Sequence, residues 1–72
     1  MASLLKIETH SIDAAAIVSV CIKAVKGCAL VVGSAVLTDH DFTEKQHEAI
    51  KKYVSKTSEP NEYDLQLWES AK

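Results

Sequence analysis

IDAAAIVSVCIKAVKGCALVVGSAVL, residues 12–37, is the stretch whose reading decides the fold of this 72-residue chain. Its polar positions Ser19, Lys23 and Lys26 fall at i, i+4 and i+7, a single stripe of a helix. Ile17, Val18, Val20, Cys21, Ala24, Val25 and Cys28 would then form a broad apolar face. The Ala14-Ala15-Ala16 run is strongly helix-forming, Ser11 suits an N-cap, and Asp13 suits a first turn. The β-branched content pulls the other way, because Val18, Val20 and Ile22 also alternate with Ser19, Cys21 and Lys23. Cap and alanines together favour helix, with Gly27 as the expected break or kink. Residues 28–37, CALVVGSAVL, are apolar enough for a buried helix or a buried strand, and Gly33-Ser34 weakens both. Taking this part as helix too gives one apolar helical segment over residues 12–37.

Upstream, Leu5, Ile7 and Thr9 alternate with Lys6, Glu8 and His10, which reads as a short strand or an extended arm within residues 1–11. Downstream, Thr43 and Gln46 form a T-x-x-Q capping box. Asp39, Asp41 and Glu44 gather before or at the start of that helix and Lys51, Lys52 and Lys56 towards its end, both complementing its dipole. Glu48 and Lys52 have the favourable i, i+4 order, and Ala49, Ile50, Tyr53 and Val54 supply an apolar stripe. The pattern predicts a capped amphipathic helix over residues 43–56. Ser58-Glu59-Pro60-Asn61 breaks the chain, and residues 61–72 form an acidic C-terminal arm. In that arm Leu65 and Trp68 share a helix face, whereas Tyr63, Leu65 and Leu67 would share a strand face. The expected fold is a single small domain over residues 1–72, mainly α, a helical hairpin or bundle with a C-terminal arm. The alternative is a small α+β fold with short strands at 3–9, 28–37 and 63–68.

Composition narrows the function. Apolar residues make up 47% of the chain and charged residues 25%, an ordinary globular balance rather than a disordered one. All eight basic residues are Lys and the net charge is −2, which argues against nucleic acid as a partner, since Arg is the preferred fork for phosphates and base edges. Residues 38–72 hold eight acids and five Lys, net −3; residues 1–37 hold two acids and three Lys, net +1. The acidic half is thus the more natural face for a basic partner. Residues 14–37 are long enough to span a membrane, but Lys23 and Lys26 cost roughly 2.5–3.5 kcal/mol each. Ten Ile, Leu and Val residues return only about 0.3–0.6 kcal/mol each. No secretory leader pattern opens the sequence, and a cytoplasmic protein is expected.

Chemistry has few footholds. Asp39, His40, Asp41, Thr43, Glu44 and His47 form the densest polar cluster, but Glu44 and Ile50 stand where an EF-hand loop needs Gly and Glu. Helix capping explains the acids without a metal. Cys21 and Cys28 lie in the most apolar stretch and read as two buried, reduced thiols; within one helix they are about 10 Å apart, too far for a bridge. No phosphate loop surrounds Gly27 or Gly33. These residues point to a non-enzymatic protein–protein interaction module without cofactor or metal: a small regulator, inhibitor or adaptor acting as a homodimer or on a larger protein. A small core of this size gains stability by association. The expected oligomer interface is Ile17, Val18, Val20, Val25 and Val32. The expected partner-binding residues are Tyr63, Leu65, Leu67 and Trp68, with Glu62, Asp64 and Glu69 as a polar rim. The rival classes are a membrane-associated protein with residues 14–37 inserted and a small metal-binding protein.

Overall fold

Alternation at the start of the chain becomes a strand. In the computed structural model, which describes residues 4–71, Leu5–Thr9 form β1 with Ile7 and Thr9 buried. The Ser11 side chain then accepts the Ala14 N–H at 3.1 Å and caps helix α1, Ile12–Ala24. The helix stops short of Gly27. Lys26 adopts a left-handed backbone (φ 65°), its N–H bonds to the Lys23 carbonyl, and the Gly27 N–H bonds to the Ile22 carbonyl at 2.9 Å. Those two bonds are the Schellman helix stop. Gly27 is required for space, since a Cβ there would lie 2.7 Å from Ile22 Cγ2.

The second half of the decisive stretch is not helix. Ala29–Val32 (β2) and Ala35–Thr38 (β3) pair antiparallel. Gly33, at φ +61°, takes the first central position of the two-residue turn between them, where a II′ hairpin turn carries glycine. Glycine at that position weakens a helix but suits a hairpin, and Val31, Val32 and Val36 favour the extended backbone around it. The mainly α expectation is therefore corrected: the fold is small α+β, as in the alternative reading.

Two further elements depart from expectation. The Thr43–Gln46 capping box forms as predicted and opens helix α2, Glu44–Ile50. That helix does not reach residue 56; a 3-10 turn at Lys51–Tyr53 leads into β4, Val54–Ser58. β4 pairs with β1, and the Ser55 hydroxyl donates to the Glu8 carbonyl at 3.0 Å, 47 residues away in sequence. The acidic arm is neither a strand at 63–68 nor a loose tail but helix α3, Glu62–Ala71.

The four strands form one antiparallel sheet in the order β2-β3-β1-β4. The order β-α-β-β-α-β is that of the split βαβ arrangement, with α3 added at its end. Pleating sorts the side chains onto two faces. Ile7 and Val36, partners in register, join Ala15, Val18 and Ile22 of α1 and Ile50 of α2 in the core. Lys6 and Leu37, also partners, belong to the opposite face, together with Leu30 opposite Leu37. Leu37 is fully buried, and α3 is the helix that reaches this second face, through an Asp64–Lys6 ion pair. Thr9 ties the hairpin to the start of α1: its N–H bonds the Ser34 carbonyl at 2.9 Å, and its Oγ1 lies 2.6 Å from that oxygen and 2.7 Å from the Ser11 carbonyl.

Candidate interaction surface

Helix α1 turns an apolar face outward. Ala14, Ala15, Val18, Ser19 and Ile22 face the sheet. The expected polar stripe fails at Ser19, which is buried because it follows Ala15 by four residues and precedes Ile22 by three, on the face of the helix turned to the sheet. The opposite side exposes Ile17 at 41% and Val20 at 65%, with Val25 at 43% just past the helix end; Ile12, in the first turn, is also exposed. Ala16 and Ala24 are exposed between them. A shallow cleft of about 260 Å³ is lined by Ala16, Ile17, Val20 and Cys21. A second, of about 230 Å³, continues from Cys21, Ala24 and Val25 to Phe42, Ala49 and Ile50 of the α2 region. The apolar surface thus crosses from one helix to the next.

Of the expected oligomer residues, the structure brings Ile17, Val20 and Val25 to this surface. Val18 is fully buried in the core and Val32 is half-buried in β2. Sequence reasoning missed Ala16, Ala24, Phe42 and Ala49 as parts of the same surface. Phe42 carried no local signal; its place is set by the turn before α2, where its ring meets that of His40 edge-on at 5.0 Å.

The expected C-terminal residues are divided by α3. Tyr63 and Leu65 are exposed, as are Glu62 and Glu69, while Leu67 and Trp68 are half-buried. Trp68 borders a cleft with Cys28, Ala29, Leu30 and Asp39. Asp64 is not a rim residue: it is buried, with 2% exposure. Asn61 Oδ1 accepts the Asp64 N–H at 2.8 Å and Asp64 Oδ2 accepts the Asn61 N–H at 3.1 Å, a reciprocal cap at the start of α3. The same Oδ2 lies 3.1 Å from Lys6 Nζ. Burial pushes this carboxyl upward, but the Asn61 N–H and the Lys6 ammonium outweigh it and hold Asp64 below its ordinary value of 3.8.

The groups that invited a chemical reading are dispersed. His40 turns inward, its Nε2 3.1 Å from Gln46 Oε1, while Asp39, Asp41, Glu44 and His47 are exposed. Among the described residues no three His, Cys, Asp or Glu side chains gather as a metal-ligand group. Cys21 is half-buried and Cys28 exposed, and both are free, so the expectation of two buried thiols is corrected for Cys28. It leaves the apolar interior because the chain is already out of the helix there, on its way into β2. Among the described residues no helix is long and apolar enough to cross a membrane, since residues 14–37 divide into a helix and a hairpin. Comparison with protein-family models, curated proteins and solved structures gave no match.

Proposed function

We propose that this chain is a non-enzymatic protein-interaction module, a small regulator, inhibitor or adaptor, that docks through the outer face of α1. The carrying observation is the run of exposed apolar side chains Ile17, Val20 and Val25, continuous with the cleft that ends at Phe42. Single exposed apolar residues are normal on a protein surface, whereas a contiguous strip marks a contact surface. Covering Val20 and Ile17 removes apolar area from water at about 25 cal/mol per Å², a gain the isolated fold leaves unused. The acidic α3 surface around Tyr63 is the competing site. It has fewer exposed apolar side chains, and its best anchor, Trp68, is half-buried.

Site-specific photocrosslinking in the source cell tests this. A photoreactive residue replacing Val20 is expected to give discrete higher-mass adducts, and one replacing Tyr63 none. Adducts from position 63 alone would move the docking surface to α3. Adducts from neither position would overturn the interaction reading.

A further inference from the structure

The outer face of α1 also carries the information needed to choose its occupant. Asp13, Ile17, Val20 and Ala24 follow one another at spacings of four, three and four residues and so lie along one line of the helix surface. Asp13 and Lys23 are the two charged residues of α1, one near each end, and both are exposed. Among the described residues neither takes part in an ion pair within the chain. The strip is therefore negative at its beginning and apolar in the middle, and Lys23, one residue before Ala24 and about 100° round the helix from it, flanks its far end with a positive charge.

We propose that this strip pairs with the same strip of a second copy of the chain, the two α1 helices running antiparallel about a two-fold axis between Ile17 and Val20. This rests on the reading of α1 as the docking face and names its occupant. A two-fold interface matches a patch with itself, so each residue i that meets j is repeated as j meeting i. Antiparallel pairing centred between Ile17 and Val20 sets Ile17 against the partner's Val20, and Asp13 beside the partner's Lys23, twice over. Parallel pairing would instead set Asp13 against Asp13, with neither carboxylate beside the partner's Lys23. The pattern is self-complementary in one orientation and self-repulsive in the other. At 1.5 Å per residue the 13-residue helix offers a seam about 20 Å long and one helix wide, less than the roughly 1,200 Å² that stable interfaces bury and in the range of weak, transient ones. Association is thus reversible and dependent on concentration.

Asp13 and Lys23 also complement the helix dipole, so the test must read association separately from helix stability. Sedimentation equilibrium of the full chain across the micromolar range is expected to show monomer and dimer. Val20→Glu, at an exposed position, should weaken association more than tenfold with an unchanged circular-dichroism melt. Asp13→Lys should weaken it about tenfold, since exposed pairs contribute little each but two attractive pairs become repulsive. Asp13→Lys combined with Lys23→Asp should restore it towards the original. The double variant opposes the dipole at both helix ends, so a dipole role predicts further loss where pairing predicts recovery. Failure of recovery would overturn the antiparallel arrangement, as would a dimer indifferent to Val20→Glu. A wild-type chain that stays monomeric while position 20 still photocrosslinks a different protein would overturn the second copy as occupant and leave the docking face standing. Absence of both would overturn the two together.

Discussion

Helices α1 and α3 lie on opposite faces of the same sheet and bury their side chains by opposite rules. α1, Ile12–Ala24, is rich in apolar residues, yet it hides Ser19 and shows Val20 to water. α3, Glu62–Ala71, is acidic, yet the side chain it buries most deeply is a carboxylate, Asp64, held by Lys6 and by its own cap at Asn61. Hydropathy alone predicts the reverse at Ser19, Val20 and Asp64. Position relative to the sheet decides burial; a helix with apolar residues to spare leaves some outside, and a helix short of them docks through a paired charge.

The largest effect expected from breaking this comparison is on the sheet side of α1. Ile22→Ala should cost about 2–5 kcal/mol, because Ile22 is fully buried and its neighbours cannot close the cavity. Val20→Ala, two residues away on the outer side, should stay within about 0.5 kcal/mol in a dilute sample. Chemical denaturation of both variants checks the contrast; equal losses would put Val20 in the core.

On α3 the sensitive residue is the polar one. Asp64→Ala removes a charged hydrogen-bond acceptor from the cap and from Lys6, and should cost about 2 kcal/mol. The pH dependence has a definite sign. The folded carboxyl lies below its unfolded value, so its contribution is complete above about pH 5, where the unfolded carboxyl is already ionised. It is lost as pH falls through the lower folded value. Fluorescence of Trp68, the single Trp, should report this acid transition in the wild type and show it displaced to higher pH in Lys6→Met. A transition unaffected by Lys6→Met would remove the ion pair from the account of α3 docking.

The end of α1 offers two neighbouring substitutions of opposite sign. Gly27→Ala should destabilise by about 1–3 kcal/mol, since the new methyl would press on Ile22 Cγ2 at 2.7 Å and on His40 Nδ1 at 3.1 Å. Lys26→Gly should stabilise by about 0.5–1 kcal/mol, because glycine takes a φ of 65° without the steric cost borne by a side chain. Thermal melts of the pair are the measurement. A stabilising Gly27→Ala would mean that the close approach between the helix end and His40 does not exist.

Local signals carried some elements and misled on others. The Ser11 cap and the Thr43–Gln46 box were legible because each is a bond between residues three apart, which needs nothing distant. β1 was legible as an alternation, though the same alternation suited an extended arm. β4 was not, because Lys51, Lys52 and Lys56 read as the basic end of one continuous helix, while Val54 and Thr57 gave too short a run to show the change of period. In the candidate surface, Ile17, Val20 and Val25 were legible as surplus apolar residues. Their continuity with Phe42 was not, since it depends on where α2 packs.

The amino-acid sequence by itself determined the starts of α1 and α2, the breaks at Gly27 and at residues 58–61, the uncharged stretch 28–37 and the apolar surplus around α1. All of these follow from interactions within a few residues or from composition. Tertiary structure alone decided that residues 28–37 pair with each other and with β1, that residues 54–58 become the strand beside β1, and that Asp64 is buried. Each of those outcomes depends on a partner far along the chain: Ile7 for Val36, Glu8 for Ser55, Lys6 for Asp64. A strand leaves its backbone hydrogen bonds unmade, and a buried carboxylate its charge unmatched, until that distant partner arrives.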